Sequence, residues 1–174
     1  MSTHLVKHSF PHVDLSKGAL MAGIIGILLL LRSQFSLCLV KGESMLPGLQ
    51  SGDLLVVDRL AYRAERPKRG DIVVARNRDE LIVKRVVGLP GEEVELHRGK
   101  LLVNQGPFAE DYAVEPGWLD LRRGRLLDNR YALLGDNRSL PTSVSVHAIV
   151  AKDQIVGKVV HSLQLWPSRR VPIS

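Results

Sequence analysis

Residues 81–87 read Leu-Ile-Val-Lys-Arg-Val-Val, an apolar run interrupted by two adjacent cations. Side chains alternate between the two faces of an extended strand, so Lys84 shares a face with Ile82 and Val86, while Arg85 points to the other face. Both faces are mostly apolar, which predicts a strand buried on both sides. Burial disfavours an ammonium ion and lowers the pKa of a lysine. Lys84 is therefore a candidate for a neutral amine that accepts a proton.

The chain beyond residue 35 contains several other short apolar runs bounded by Gly and Pro. Gly-Asp pairs precede two of these runs, and Arg98-Gly99 separates two more as a hairpin turn. The predicted strands are 54–58, 72–76, 81–87, 94–97, 100–104, 131–134 and 155–160. Strands this short favour paired antiparallel sheets or a partly open barrel. Residues 105–130, which contain two prolines and several glycines, are predicted to be an irregular excursion of the same domain.

A serine precedes Lys84 by forty positions, in the pentapeptide Glu-Ser-Met-Leu-Pro at 43–47. A serine hydroxyl is a poor nucleophile near neutral pH and needs a neighbouring base. Ser44 and Lys84 are therefore a candidate nucleophile and general base. The alternative for Lys84 is a strand-edge residue whose stem covers apolar neighbours while its ammonium reaches water.

Four blocks of the chain, in order, resemble bacterial type I signal peptidases. They are residues 42–49, 52–57, 84–92 and 135–138, and the resemblance spans about residues 39–167. It implies Ser44 as nucleophile, Lys84 as general base and the backbone N–H of Ser44 as an oxyanion donor. It also implies a mainly β fold of antiparallel sheets or a partly open barrel, preceded by one transmembrane helix.

The resemblance assigns further positions around this pair. The substrate-binding residues that it implies are Val40, Met45, Leu49, Ile82 and Val83. The residues that it implies for the oxyanion hole and its support are Gly42, Arg85, Asp136 and Asn137. Small and apolar side chains suit the Ala-x-Ala pattern that precedes signal-peptide cleavage sites. Asp136 is expected to brace a turn or to pair with Arg85 or Arg138.

The block at 135–138 departs from the family pattern after its arginine. Family members commonly continue with a Ser, an Asp-Ser and an Arg, where this chain has Pro141, Ser143, Val144 and Ser145. The missing residues would orient the lysine and brace the floor of the site. Either Ser139 or Ser143 substitutes after a local shift, or catalysis is slower. Gly42 also replaces a hydroxyl residue that some members use as an oxyanion donor, a contact worth about a hundredfold in rate or more.

Residues 18–31 contain no charged side chain and are followed by Arg32. This stretch is shorter than the roughly twenty residues that cross a bilayer core, but flanking residues, tilt and snorkelling of Arg32 extend it. We predict a transmembrane anchor over residues 15–34. A cleaved signal sequence is disfavoured because no Ala-x-Ala site follows. A buried core helix is disfavoured because the stretch is apolar all round.

Charge alone does not orient this anchor. Lys7 and Lys17 precede the apolar stretch and Arg32 and Lys41 follow it, so the positive-inside bias is nearly balanced. The family resemblance implies a single-pass protein of the plasma (inner) membrane with its catalytic domain on the extracytoplasmic side. The implied organisation is a cytoplasmic segment at 1–14, the anchor at 15–34, the catalytic domain at 35–168 and a tail at 169–174.

The amino-acid composition indicates which binding partners are expected. A formal net charge of +6 favours contact with anionic lipid headgroups. Nucleic-acid binding is not expected, because the basic residues are scattered, aromatic residues make up 5% of the chain and no recognition motif is present. The single cysteine, Cys38, excludes an internal disulfide.

Histidines offer little chemistry in this sequence. His4, His8 and His12 recur at helical spacing but lack further ligands, so neither a metal nor another cofactor is expected. His147 follows the 135–138 block, and pairing of a serine with this histidine is the alternative to the lysine base.

The sequence therefore predicts a membrane-anchored serine endopeptidase with a Ser/Lys dyad that removes signal peptides from exported preproteins. Its predicted partners are those preproteins and the lipid bilayer. Three rivals remain: a dedicated protease that matures one partner such as a pilin or a secreted metalloenzyme, a self-cleaving repressor of the LexA type, and an inactive binding module. The repressor would require a DNA-binding helix module, in place of which this chain has an apolar segment.

Overall fold

The computed structural model describes residues 15–141 and 148–164. The chain divides into two compact units, residues 1–33 and 34–174. Several sequence predictions lie outside the described residues, namely those for 1–14, for Ser143, Val144, Ser145 and His147, and for the tail at 169–174.

The described part of the first unit belongs to one α-helix, α1, at Leu15–Gln34, whose last residue falls in the second unit. Leucine and isoleucine dominate it, and the basic Arg32 in its last turn complements the negative end of the helix dipole. Residues 17–34 are long and apolar enough to cross a membrane by length and composition, with a mean hydropathy of 1.3. The bounds of α1 are those that the sequence predicted for the anchor.

The second unit is built from short antiparallel strands. The strands are β1 Phe35–Leu39, β2 Leu54–Asp58, β3 Ile72–Asn77, β4 Glu80–Gly88, β5 Glu93–His97, β6 Lys100–Val103, β7 Gly106–Pro107, β8 Leu121–Arg125, β9 Arg130–Leu134, β10 Ala148–Ala151 and β11 Ile155–Leu163. A short 3-10 helix, Lys152–Gln154, joins the last two. The larger sheet has the order β1-β2-β11-β3-β4-β9-β10, and the smaller one the order β7-β6-β5-β8.

The predicted mainly β fold of antiparallel sheets with one amino-terminal apolar helix is confirmed. Each of the seven predicted strands is present, with ends that differ by a few residues. Alternation explains why: in β2, for example, Leu55 and Val57 are buried while their neighbours are half-buried. In β4, Ile82 and Val86 pack into one core cluster and Val83 into another, as expected for side chains on opposite faces.

The segment at 105–130, predicted to be irregular, needs correction in part. It contains β7 and β8, and β8 pairs with β5 through Glu93–Arg125 and Leu96–Leu121. The sequence of β8, Leu-Arg-Arg-Gly-Arg, has no apolar alternation, so nothing in it indicated a strand. The strand forms because β5 offers a hydrogen-bonding edge and because Arg123 pairs with two β5 glutamates.

Three apolar clusters form the core of the second unit. One joins the two sheets, with Val87 and Leu134 of the larger sheet against Leu96 and Leu101 of the smaller one. Another packs residues of the loop between β1 and β2 against the larger sheet. This second cluster matters for the site, because the loop carries Ser44.

Candidate active site

Ser44 lies in a loop that leaves and re-enters the larger sheet at nearly the same point. The backbone of Val40 accepts a hydrogen bond from the N–H of Gly52 at 3.0 Å, and its own N–H donates to Asp53 at 2.9 Å. Met45 and Leu49 are 2% and 3% exposed and pack in the core beneath the loop. Apolar burial on both sides of Ser44 therefore fixes the backbone that carries its hydroxyl.

Lys84 lies in β4 opposite Val73 of β3, one residue before the pairing of β4 with the end of β9 begins at Arg85, and is 4% exposed. Its Nζ shares a hydrogen bond with the Oγ of Ser44. Burial lowers the pKa of Lys84 to about 8, against the opposing charge of Asp136, which acts to raise it. With that pKa, roughly one molecule in ten carries a neutral amine at pH 7.

Residues 135–138 hold the Ser44 loop from below. The N–H of Asn137 donates to the carbonyl of Ser44 at 3.0 Å, and the side-chain amide of Asn137 donates to the carbonyl of Glu43 at 3.1 Å. A Cβ on Gly135 would lie 2.4 Å from the carbonyl oxygen of Ser44, closer than two such atoms approach. The contact therefore requires glycine at position 135.

Asp136 pairs with Arg85, which decides between the expectations for this aspartate. The guanidinium donates from Nε to Oδ1 at 2.9 Å and from Nη2 to Oδ2 at 2.6 Å, and Nη1 donates to the carbonyl of Gly70 at 2.8 Å. Asp136 is fully buried, so the bidentate pair compensates its desolvation. The two adjacent cations of β4 thus have different partners: Arg85 binds a carboxylate and Lys84 a hydroxyl.

A cleft of about 680 Å³ contains the Ser44–Lys84 pair. Residues on both sides of it belong to strand edges: β1 is the outer strand of its sheet, and β9 pairs with β4 only from Arg85 onward. The lining residues are Cys38, Leu39, Val40, Lys41, Gly42, Glu43, Ser44, Met45, Glu80, Leu81, Ile82, Val83, Lys84 and Leu140. Of the predicted substrate-binding residues, only Leu49 is not among them, because it packs in the core below.

The backbone N–H of Ser44 donates to no acceptor within residues 15–141 and 148–164, so it remains available to an oxyanion. The N–H of Gly42, by contrast, donates to the hydroxyl of Ser51 at 3.3 Å. Gly42 has a φ of +85° in the left-handed region, which favours glycine over a residue with a hydroxyl side chain.

The family model described as signal peptidase, peptidase S26, matches residues 14–164 of the chain. The chain belongs to this family. It is 31% identical over 140 residues to the probable signal peptidase I-2 of a Synechocystis species, covering 76% of this chain and 63% of the relative. It is 32% identical to signal peptidase I of Leptolyngbya laminosa (76% and 69% covered) and 33% identical to signal peptidase IB of Staphylococcus aureus (74% and 76%).

A search of solved structures finds a signal peptidase I from Enterococcus faecalis, 26% identical, with a TM-score of 0.45 over 55% of this chain and 97% of that one. Among the curated relatives, the match to this chain covers somewhat less than two thirds of the length of the Synechocystis protein and somewhat more than two thirds of the length of the other two.

In this signal peptidase family member, the sequence did not reveal the part played by Arg138. This arginine is 1% exposed and donates to the carbonyls of Gly135 at 2.8 Å and Gly99 at 3.0 Å, and to Glu110 at 2.6 Å. A Cβ on Gly117 would lie 2.0 Å from the Arg138 carbonyl, so the excursion packs directly on this backbone. Arg138 lies in the block 135–138 that resembles the family, but no local sequence pattern predicted Glu110 as its partner.

Ser139, expected as a substitute for the missing family serine, does not reach Lys84. Its hydroxyl and its N–H both donate to the side-chain oxygen of Asn137, at 2.6 and 3.1 Å. It therefore orients the amide that holds the Ser44 loop. Within residues 15–141 and 148–164, no three His, Cys, Asp or Glu side chains come together as a metal site.

Proposed function

We propose that this chain is a membrane-anchored serine endopeptidase that removes signal peptides from exported preproteins, with Ser44 as nucleophile and Lys84 as general base. The observation that carries the proposal is the hydrogen bond between Lys84 Nζ and Ser44 Oγ inside an open cleft. A buried amine with a pKa near 8 is the kind of base that a serine requires. Membership of the signal peptidase family agrees with this chemistry.

The shape of the cleft favours an extended peptide as substrate. Residues 80–84 of β4 and the end of β1 offer strand edges, and a peptide between them would form main-chain hydrogen bonds with both. Alternate side chains of such a peptide point to opposite sides. Val40, Met45, Ile82 and Val83 would then receive small apolar side chains, which suits the Ala-x-Ala pattern before a signal-peptide cleavage site.

The reaction would proceed through an acyl-enzyme. Lys84 accepts the proton of the Ser44 hydroxyl as Oγ attacks the scissile carbonyl, and the Ser44 N–H stabilises the oxyanion. The lysine then protonates the leaving amine, which releases the mature protein. In the second half, Lys84 takes a proton from water, whose oxygen attacks the Ser44 ester. The signal peptide leaves as a carboxylate and Ser44 regains its proton.

The helix α1 would anchor the enzyme in the plasma membrane, with the catalytic domain on the extracytoplasmic side. Its length and composition suit a single span, and a basic chain suits a surface of anionic lipids. This placement would bring the peptidase to the membrane from which exported preproteins emerge.

The test is cleavage of a signal-bearing preprotein by the full chain in liposomes that contain anionic lipid. We expect processing by the wild type and at least a 10⁴-fold loss for Ser44→Ala and for Lys84→Met, by analogy with the roughly 10⁴- to 10⁶-fold effects of removing catalytic residues from other serine proteases. Ser162→Ala and Lys100→Met, at exposed positions away from the cleft, are the matched controls. Processing that survives both cleft substitutions would rule out the assigned pair.

A dedicated maturation protease is the second candidate, and one observation favours it. Leu140 lines the cleft immediately before Pro141, at the point where this chain departs from the family pattern. The apolar side chain of Leu140 in the cleft reduces the range of substrate side chains that fit there. Cleavage of one preprotein from a panel with varied signal peptides, and of no other, would favour this narrower role.

A further inference from the structure

Tyr112 contacts Arg85 directly and is linked to Arg138 through Glu110. Its ring centroid lies 3.9 Å from Cζ of Arg85, within the range of a cation–π contact. Its hydroxyl donates to Oε1 of Glu110 at 2.5 Å, and the same oxygen accepts a hydrogen bond from Arg138 at 2.6 Å. One aromatic side chain of the excursion thereby connects β4, which carries Lys84, with the block that holds Ser44.

The Tyr112 ring adds to the contacts that hold Arg85. Its three hydrogen bonds to Asp136 and Gly70 lie in the plane of the guanidinium, and they do not cover its faces. The Tyr112 ring covers one face, so the arginine is held both within its plane and from above. Removal of the ring would leave that face uncovered, and the long arginine side chain would gain freedom to move away from its present geometry.

We propose that Tyr112 is a positioning residue for the Ser44–Lys84 pair, because its ring holds the Arg85 guanidinium against the Asp136 carboxylate. This inference rests on the proposed function, and it adds a residue from the segment that the sequence left without a role. Tyr112 is not among the residues that line the cleft, so its effect is transmitted through Arg85 and Asp136.

The transmitted effect has a definite sign. Asp136 acts to raise the pKa of Lys84, and the Arg85 cation close to it weakens that action. If Arg85 moves away, the Asp136 charge acts on Lys84 more fully and a nearby cation is lost. Both changes favour the ammonium form. Three other charged residues, Lys41, Glu43 and Glu80, line the same cleft, and substitution at position 112 does not change them.

The experiment compares Tyr112→Met with Tyr112→Phe in the full chain, reconstituted in liposomes. Methionine keeps much of the apolar volume but has no aromatic face, whereas phenylalanine keeps the face and loses only the hydroxyl. We expect the acid limb of kcat/KM to move up by about one pH unit in the methionine variant, with about tenfold less activity at pH 7 and nearly full recovery at high pH. Phenylalanine should restore most of the activity.

A matched control is present in the same segment. Phe108 stacks on Arg69 at 4.7 Å, another aromatic–arginine contact, and that arginine pairs with Glu92 instead of Asp136. Phe108→Met is therefore expected to lower the free energy of unfolding while leaving the pH profile where it was. If the pH profile of kcat/KM shifted equally in both methionine variants, Tyr112 would contribute only to general stability, and the proposal would be wrong. An unshifted profile in Tyr112→Met would also overturn it.

Two NMR measurements in detergent micelles keep the inference separate from the proposed function. Titration of the Lys84 amine needs no substrate, and it should move upward in Tyr112→Met even if no preprotein is ever cleaved. If the methionine variant does not fold, the Arg85 Nε–H is observed in the wild type. An upfield-shifted, slowly exchanging signal supports the stacked arginine, whereas a rapidly exchanging one at the position of a free guanidinium overturns it.

Discussion

Lys84 and Arg138 are both almost fully buried cations, yet their surroundings differ in every other respect. Arg138 donates to two carbonyls and a glutamate, so its charge is compensated and its position is fixed. The amine of Lys84 has one hydrogen-bond partner among the described residues, the hydroxyl of Ser44. Equal burial therefore leads to a structural cation in one place and to a titratable base in the other.

The difference shows what burial alone does. Desolvation penalises both side chains, but an arginine keeps its charge at any physiological pH and must find partners. A lysine can release its proton instead, and the pKa of about 8 reflects that release. The fold supplies carboxylates close to the arginines and leaves only the more distant Asp136 charge to act on the lysine.

The largest expected effect is the loss of stability when Arg138, the structural cation of the pair, is replaced. Arg138→Met should lower the free energy of unfolding by about 3–5 kcal/mol, because Glu110 would keep a partly buried charge without its partner. Lys84→Met should leave that free energy unchanged or raise it, because it removes a poorly compensated buried cation. Urea unfolding of the two variants in the same detergent measures the difference. Equal losses of stability would contradict it.

A smaller effect is expected from a methyl group placed below Ser44. Gly135→Ala puts a Cβ 2.4 Å from the Ser44 carbonyl oxygen, which must move by roughly 1 Å to return to ordinary contact. Displacement of a catalytic group on this scale lowers rates by about a hundredfold. Gly124→Ala is the control, since its Cβ would meet nothing within 4 Å. Steady-state cleavage assays should show the loss for the first variant only, and full activity of Gly135→Ala would mean that the loop adapts freely.

The smallest effect is the pH dependence of the wild type. Because only the neutral amine accepts a proton, kcat/KM should rise about tenfold per pH unit below pH 8 and level off above it. Initial rates from pH 6 to pH 10 provide the profile. A bend near 10.5, the ordinary value for lysine, would show that Lys84 is not desolvated during catalysis.

Much of the fold was visible in the sequence because apolar alternation reports burial directly. The strands around Val57, Lys84 and Leu133 were predicted on this basis, and α1 from its uncharged run. Strand β8 was missed because its arginines face solvent and its partner strand, not its own composition, makes it extended. Such pairing is a property of the assembled sheet, and a local pattern does not contain it.

The candidate site, like the fold, could be predicted from the sequence only in part. Ser44 and Lys84 were candidates from their own chemistry, the four blocks that resemble one family supported their pairing across forty residues, and the structure brings the two side chains into contact. The bracing by Glu110 and Tyr112 escaped prediction, since neither lies in a recognised block. The weakened support that the sequence indicated after Arg138 stays a prediction, because residues 142–147 lie outside the described residues; Glu110 of the excursion, which binds Arg138, was not expected.

Cys38 lines the cleft and is the only cysteine of the chain. A thiol-directed fluorophore or spin label would therefore attach at one place without any prior engineering, on the wall opposite residues 80–84. Displacement or shielding of that label would report the arrival of a peptide even when no bond is cut. The thiol of Cys38, in the same cleft as Ser44, is thus suited to following peptide recognition separately from turnover.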